Sequence, residues 1–256
     1  MRIRGWLRRL LCALMWSVPL SVAATQRIYF DEQNPPFMYV DDRTHAAVGL
    51  YPSLITEAFR RMAVDVELKT LPWRRALKEL ELGHAGLGGL YRSRERQEKY
   101  DFSEPLFEEQ IAIYSLAANG KLFHELRDLE GKRVGVINGW YYSDDFSAAL
   151  KSGRIKVQPV ADDKTNMRKL QLGRLDAVLA ITQSGDGVLH AMALDRVITR
   201  SQQPFLTNPV YLAFHRRAQQ QALLQQFNQT LQAMRQDGTY GRLVQQSFAH
   251  AEPPSP

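Results

Sequence analysis

The chain has 256 residues, 45% hydrophobic and 23% charged, an ordinary globular composition with room for one large domain or two lobes of about 100 residues each. Its formal charge of +6 includes Arg2, Arg4, Arg8 and Arg9 of the N-terminal segment, so the remainder carries about +2, which removes most of the case for a nucleic-acid binder. Cys12 is the only cysteine, which excludes a disulfide framework.

The four arginines precede an apolar run over 10–22 that ends in Ser21-Val22-Ala23-Ala24, small residues of the kind a signal peptidase accepts. The run is shorter than the roughly 20 residues needed to span a bilayer. Residues 1–24 therefore read as a cleaved secretory signal, with the periplasm as destination, and Cys12 leaves with it.

Arg27-Ile28-Tyr29-Phe30 reads as a short strand running into Asn34-Pro35-Pro36-Phe37, where two prolines enforce an extended turn. Over 50–62, Leu50, Leu54, Ile55, Ala58, Phe59 and Met62 recur at helical spacing, and Val64, Val66 and Leu68 then alternate as a strand. A strand, a helix and a strand in this order favour a parallel sheet with helices packed on it.

The stretch over 72–105 is the most informative. Trp73 opens an amphipathic helix through Ala76, Leu77 and Leu80, followed by a glycine-rich strand, an arginine-rich turn and Phe102-Ser103-Glu104-Pro105. Arg92, Arg94 and Arg96 form a charge run, and by spacing alone each is as well explained by a solvated face as by ligand contact. A second unit begins at 131, with a strand to Ile137, the loop Asn138-Gly139-Trp140-Tyr141-Tyr142, a helix around 146–150 and a strand over 155–160. A helix over 166–172 leads through Gly173-Arg174-Leu175-Asp176 into an apolar strand over 177–181. The segments LELGHAGLGG and LQLGRLDAVLA share a helix end, a glycine stop and a following strand, so two similarly built lobes are expected. A strand over 210–214, a helix over 222–234 and a short helix over 239–248 complete the fold, and 251–256 read as a disordered tail.

Ligands of open α/β sheets sit at the carboxyl ends of strands and in clefts between lobes. The loops at 33–39, after Leu90 and at 138–142 are aromatic and arginine-bearing. An arginine fork holds a carboxylate with two parallel charge-assisted bonds while aromatic rings cover the carbon skeleton. The expected ligand is therefore a small anionic or zwitterionic solute. The six histidines lack metal-ligand spacing, so neither a metal nor a cofactor is expected. Asp144-Asp145 fits a helix N-terminus better than a catalytic pair.

The order of Asn34-Pro35-Pro36-Phe37, Gly49-Leu50-Tyr51, Trp73, Arg96, Phe102-Ser103-Glu104-Pro105, Gly131-Lys132-Arg133-Val134-Gly135-Val136, Gly173-Arg174-Leu175-Asp176 and Asp237-Gly238-Thr239-Tyr240 resembles the periplasmic solute-binding proteins of polar amino-acid ABC transporters. The resemblance implies a two-lobed α/β periplasmic-binding-protein fold of type II, each lobe a mostly parallel sheet flanked by helices, joined by two hinge strands. Lobe one would be 26–106 plus 211–250 and lobe two 111–205, with hinges near 106–110 and 206–210. It further implies that Arg96 holds the ligand's carboxylate, that Trp73 is an aromatic wall, and that Gly89 and Tyr91 hydrogen-bond the ligand. Asn34, Phe37, Trp140, Tyr141 and Thr182 complete the candidate ligand-binding set. The expected partners are a small-molecule amino acid or organic acid and an inner-membrane ABC permease or sensor, with no nucleic acid, the protein itself a monomer.

Three positions depart from the family pattern. Ile181 stands where an Asp commonly receives the ligand's α-ammonium, Trp140 and Tyr141 replace small hydroxyl residues, and Asn34 replaces an aromatic lid. The ammonium acceptor, if the ligand has an ammonium, is left open among Thr182, Gln183 and Asp186. A non-enzymatic receptor is expected. The alternatives are an enzyme on the same scaffold, similar to cyclohexadienyl dehydratases, and a ligandless signalling module.

Overall fold

A computed structural model describes residues 25–119 and 123–249. The signal-sequence and tail expectations, at 1–24 and 251–256, lie outside the described residues.

Strand β1 (Gln26–Asp31) enters the turn between β2 (Gln33–Asn34) and β3 (Met38–Val40), in which the Pro35–Pro36 peptide is cis. Strand β4 (Ala47–Val48) completes this small sheet. Helix α1 (Leu50–Met62) buries Leu50, Leu54, Ile55, Ala58, Phe59 and Met62, the stripe its spacing predicts, and β5 (Val66–Leu71) returns parallel to β1. Helix α1 is entered through Gly49, whose φ of +110° no L side chain adopts readily; a Cβ there would lie 2.7 Å from the Phe37 carbonyl oxygen and 2.8 Å from that of Pro36. Gly49→Ala is expected to destabilise the protein by at least about 1–3 kcal/mol through the backbone alone, read as a lowered urea midpoint; an unchanged midpoint would contradict this account.

Helix α2 (Trp73–Leu82) leads into β6 (Gly86–Tyr91), which pairs parallel with β1. The arginine-rich turn becomes a one-and-a-half-turn helix, α3 (Arg94–Lys99), capped by the Ser93 hydroxyl accepting from the Arg96 amide at 3.1 Å, and β7 (Tyr100–Phe102) follows.

Two ten-residue strands then connect the halves. Strand β8 (Phe107–Leu116) and strand β13 (Leu206–His215) run antiparallel and touch only between 107–111 and 206–210. Beyond that crossing β8 pairs with β11 (Ala177–Ile181) and β12 (Ile198–Arg200), and β13 pairs with β6 and β7. The remaining strands, β9 (Arg133–Ile137) and β10 (Lys156–Val160), give the order β10-β9-β11-β8-β13-β6-β1-β5. Within this large sheet each half is thus largely parallel and flanked by helices, with antiparallel pairing confined to the pairs that β8 and β13 make; the small β2-β3-β4 sheet is antiparallel throughout.

The second half carries α4 (Asp144–Lys151), α5 (Asp163–Gln171) and α6 (Thr182–Ala191). Asp144 and Asp145 occupy the first turn of α4, as their position predicts, with the Ser143 hydroxyl accepting from the Phe146 amide at 3.0 Å. Helix α6 is not expected from the sequence. Ser184-Gly185-Asp186-Gly187 looks like a loop by composition, but Gly185 is needed because the Tyr114 ring packs against it, where a Cβ would meet that ring at 2.5 Å. Helices α7 (Gln221–Gln236) and α8 (Thr239–Ala249) return to the first half and pack on α1, with Phe59 and Phe227 6.0 Å apart.

Candidate ligand-binding site

The cleft between the halves has an inner and an outer part. The inner part is lined by Asn34, Met38, Trp73, Gly89, Tyr91, Arg96, Glu109, Trp140 and Tyr141, and retains about 10 Å³, the lower limit for a single water molecule. The outer part, about 670 Å³, is reached past Arg96, Trp140 and Tyr141 and is bordered by Arg74, Lys78, Glu81 and Lys99. Contacts across the cleft hold this arrangement. Trp73 Nε1 donates to the Gly139 carbonyl at 3.2 Å, and the Trp73 and Trp140 rings meet edge-on at 6.4 Å. Ser184 Oγ lies 2.8 Å from Asn34 Oδ1 and 2.7 Å from the Pro35 carbonyl oxygen, and Arg94 reaches Asp144 at 3.4 Å.

The three arginines separate clearly. Arg92 lies over the rings of Tyr211 and Phe102, at 4.2 and 5.0 Å, and Arg94 is 90% exposed at the rim. Only Arg96 points inward. Its Nη1 donates to the Tyr91 carbonyl at 2.8 Å and its guanidinium lies 5.6 Å from the Tyr141 ring centroid. Among the described residues no carboxylate forms an ion pair with it. Partial burial lowers its pKa from the usual arginine value, the direction expected of a cation partly withdrawn from water without a counter-charge.

Most of the predicted set is brought together here: Arg96, Trp73, Gly89, Tyr91, Asn34, Trp140 and Tyr141 share the inner cavity. Two residues are placed elsewhere. Phe37 is fully buried in an aromatic cluster, 5.6 Å from Tyr51, 5.9 Å from Phe107 and 5.6 Å from Phe248. Thr182 opens α6 and spends its hydroxyl on the Gln110 carbonyl at 3.0 Å. The Tyr91 hydroxyl, expected to meet the ligand directly, donates instead to Glu109. Of the other two candidate ammonium acceptors, Gln183 is exposed and Asp186 accepts from Tyr114 at 2.9 Å and from Arg200 at 3.1 Å; Ile181, where the family commonly has an Asp, is buried inside β11.

Glu109 and Met38 also line the cavity, though no sequence motif marks them. For Glu109 a signal exists nonetheless: along β8, residues 107, 109, 111 and 113 share one face, so Glu109 occupies the inward phase of a strand whose other inward residues are Phe107, Ile111 and Ile113. It is 2% exposed, and both carboxylate oxygens accept tyrosine hydroxyls, one from Tyr51 on α1 and one from Tyr91 on β6. Burial pushes its pKa up to about 7 against the lowering effect of those two bonds. Asp31 is pushed up to about 6 and Asp163 to about 7, both chiefly by burial, and at Asp163 the charges of the adjacent Asp162 and then of Asp31 add to the rise.

Residues 27–250 match the family model of bacterial extracellular solute-binding proteins, family 3. The chain belongs to this family. Among relatives of this family-3 protein, the L-cystine-binding protein TcyJ of Escherichia coli (strain K12) is 27% identical over 223 residues, covering 84% of this chain and 79% of its own. The ABC transporter arginine-binding protein 1 of the same organism is 25% identical over 248 residues, covering 93% and 97%. Among solved structures, an ancestral arginine-binding protein bound to arginine superposes with a TM-score of 0.74 at 26% identity, covering 88% of this chain and 98% of that one. The two-lobed architecture of these binding proteins is the architecture found here.

Proposed function

We propose that the protein is a periplasmic receptor, exported by removal of residues 1–24, that captures a small polar carboxylate between its lobes and delivers it to a membrane transporter or sensor. The observation that carries this reading is Arg96: a half-buried guanidinium without a carboxylate partner among the described residues, in an aromatic cleft. In the reading, lobe one comprises 26–106 with 211–250 and lobe two 111–205, and the ligand bridges them. That relatives are named for binding cystine and arginine supports an amino acid or a close derivative as the ligand class. Isothermal calorimetry of the purified protein against amino acids and small organic acids should find a ligand bound more tightly than millimolar; no such ligand would overturn the reading.

Glu109 also gives a specific footing to an enzymatic alternative, because a buried carboxyl poised near neutrality can act as a general acid. Incubation with prephenate or arogenate distinguishes it: an aromatic product would favour the enzyme over the receptor.

A further inference from the structure

Arg96 accounts for one charge in the inner cavity, and Glu109 introduces another that a simple carboxylate ligand would oppose. Each carboxylate oxygen offers two acceptor sites, and the tyrosine hydroxyls use one on each oxygen. Acceptor capacity therefore remains on a group that lines the cavity at the crossing of the two shared strands. Among the described residues no lysine, arginine or histidine forms an ion pair with Glu109. The charged and titratable groups around it are Tyr51 from α1, Tyr91 from β6 and Arg96 from α3, with Tyr141 from the loop after β9 on the opposite wall. The two tyrosines fix the carboxylate by donation, the way an orienting shell holds a binding group.

We propose that Glu109 is the specificity-determining residue of this site: it receives a protonated amine of the ligand while Arg96 holds the ligand's carboxylate, so the site selects zwitterions over plain carboxylates. This inference rests on the receptor reading above and deepens it. It also accounts for an inner cavity without an acidic residue at position 181. The occupied site would carry a neutral pair of ion pairs, Arg96 with carboxylate and Glu109 with ammonium, in place of two separately desolvated charges. A ligand lacking the amine would leave Glu109 either ionised with no counter-charge beyond its two tyrosine donors or protonated.

The test uses amino acids, each paired with the hydroxy acid in which a hydroxyl replaces the ammonium. Calorimetry of the wild-type protein at pH 8 should show a preference of at least about 30-fold for the amino acid of the best pair, the scale of a lost buried charge partner. Glu109→Gln keeps the shape and a tyrosine hydrogen bond while removing the charge, and should abolish that preference without abolishing hydroxy-acid binding. A second measurement needs no variant: amino-acid affinity of the wild type should rise between pH 6 and pH 8, as Glu109 ionises, and hydroxy-acid affinity should fall. Equal affinity for the two partners of a pair, or a preference that survives Glu109→Gln, overturns the inference and leaves the receptor reading standing. If neither set binds, the receptor reading fails and takes the inference with it.

Discussion

Arg96→Ala should lower affinity for a carboxylate ligand by between about 30-fold and several thousand-fold, the equivalent of about 2–5 kcal/mol for deleting one member of a buried, hydrogen-bonded charge pair. The loss is large because the ligand carboxylate would enter a cavity walled by Trp73, Trp140 and Tyr141 with no other basic side chain on its lining. Stability of the ligand-free protein should hardly change. The Arg96 side chain donates to the Tyr91 carbonyl and lies beside the Tyr141 ring, while partial burial opposes its charge. Deleting it removes both effects together, and a net change within about 1 kcal/mol is expected. Arg96→Lys should retain part of the affinity, because an ammonium keeps the charge and loses the two-pronged geometry. Calorimetry with matched thermal unfolding checks all three statements. Unchanged affinity in Arg96→Ala would remove this residue from the site.

A second large effect concerns pH. Glu109, Asp31 and Asp163 have folded-state pKa values of about 7, 6 and 7, all above the ordinary carboxylate range. A carboxyl with a raised pKa binds a proton more tightly when folded, so its stabilising contribution is complete below the unfolded value, near 4, and disappears as pH rises through 6 to 7. A tenfold difference in proton affinity between folded and unfolded chain is about 1.4 kcal/mol, so the rise of Glu109 from 4.5 to about 7 makes it alone worth about 3 kcal/mol to the pH dependence. The opposing groups act mostly elsewhere. Glu57 and Asp237 are held near 2 by Arg60 and Arg61, so their contributions are lost only in strong acid. His215, lowered by burial, favours higher pH weakly below its ordinary value. The ligand-free protein should therefore be most stable near pH 5, and its Tm should fall by several degrees by pH 8, given roughly 2–4 °C per kcal/mol at this size. Differential scanning calorimetry should show a shallower fall in Glu109→Gln. A Tm that rises across this interval would refute the assignment of these buried acids.

Periodicity carried the regular elements well. The stripe of α1, the apolar β11 and the faces of α7 all follow from residues that repeat at 3.6 or alternate at two. It is silent at α6, where serine, glycine and aspartate are poor helix formers and the helix packs against Tyr114 and β11. Residues that the family resemblance marks, Trp73 and Arg96, and the aromatic loop at Trp140 and Tyr141 do line the cleft, whereas Phe37, of the right type, serves the core beside Tyr51 and Phe248. Spacing alone could not separate Arg92, Arg94 and Arg96, because the difference depends on α3 turning one of them inward while the others meet rings or solvent. Glu109 was hidden for another reason. Its inward phase is readable in β8, but its importance depends on Tyr51, 58 positions earlier, and on Tyr91, which only the folded sheet brings to it.

The edge-on meeting of Trp73 and Trp140 has a practical consequence. Apart from Trp6 and Trp16 in the N-terminal segment, these are the only tryptophans in the chain. A processed molecule would owe its entire indole emission to two rings facing each other from opposite walls of the cleft, one of them tethered by its Nε1–H to the other side. Parting the walls would move both indoles into water at once, and a ligand seated between them would quench or shield both. The chromophores needed to watch occupancy in real time are therefore already built in, at the gap itself, without any label.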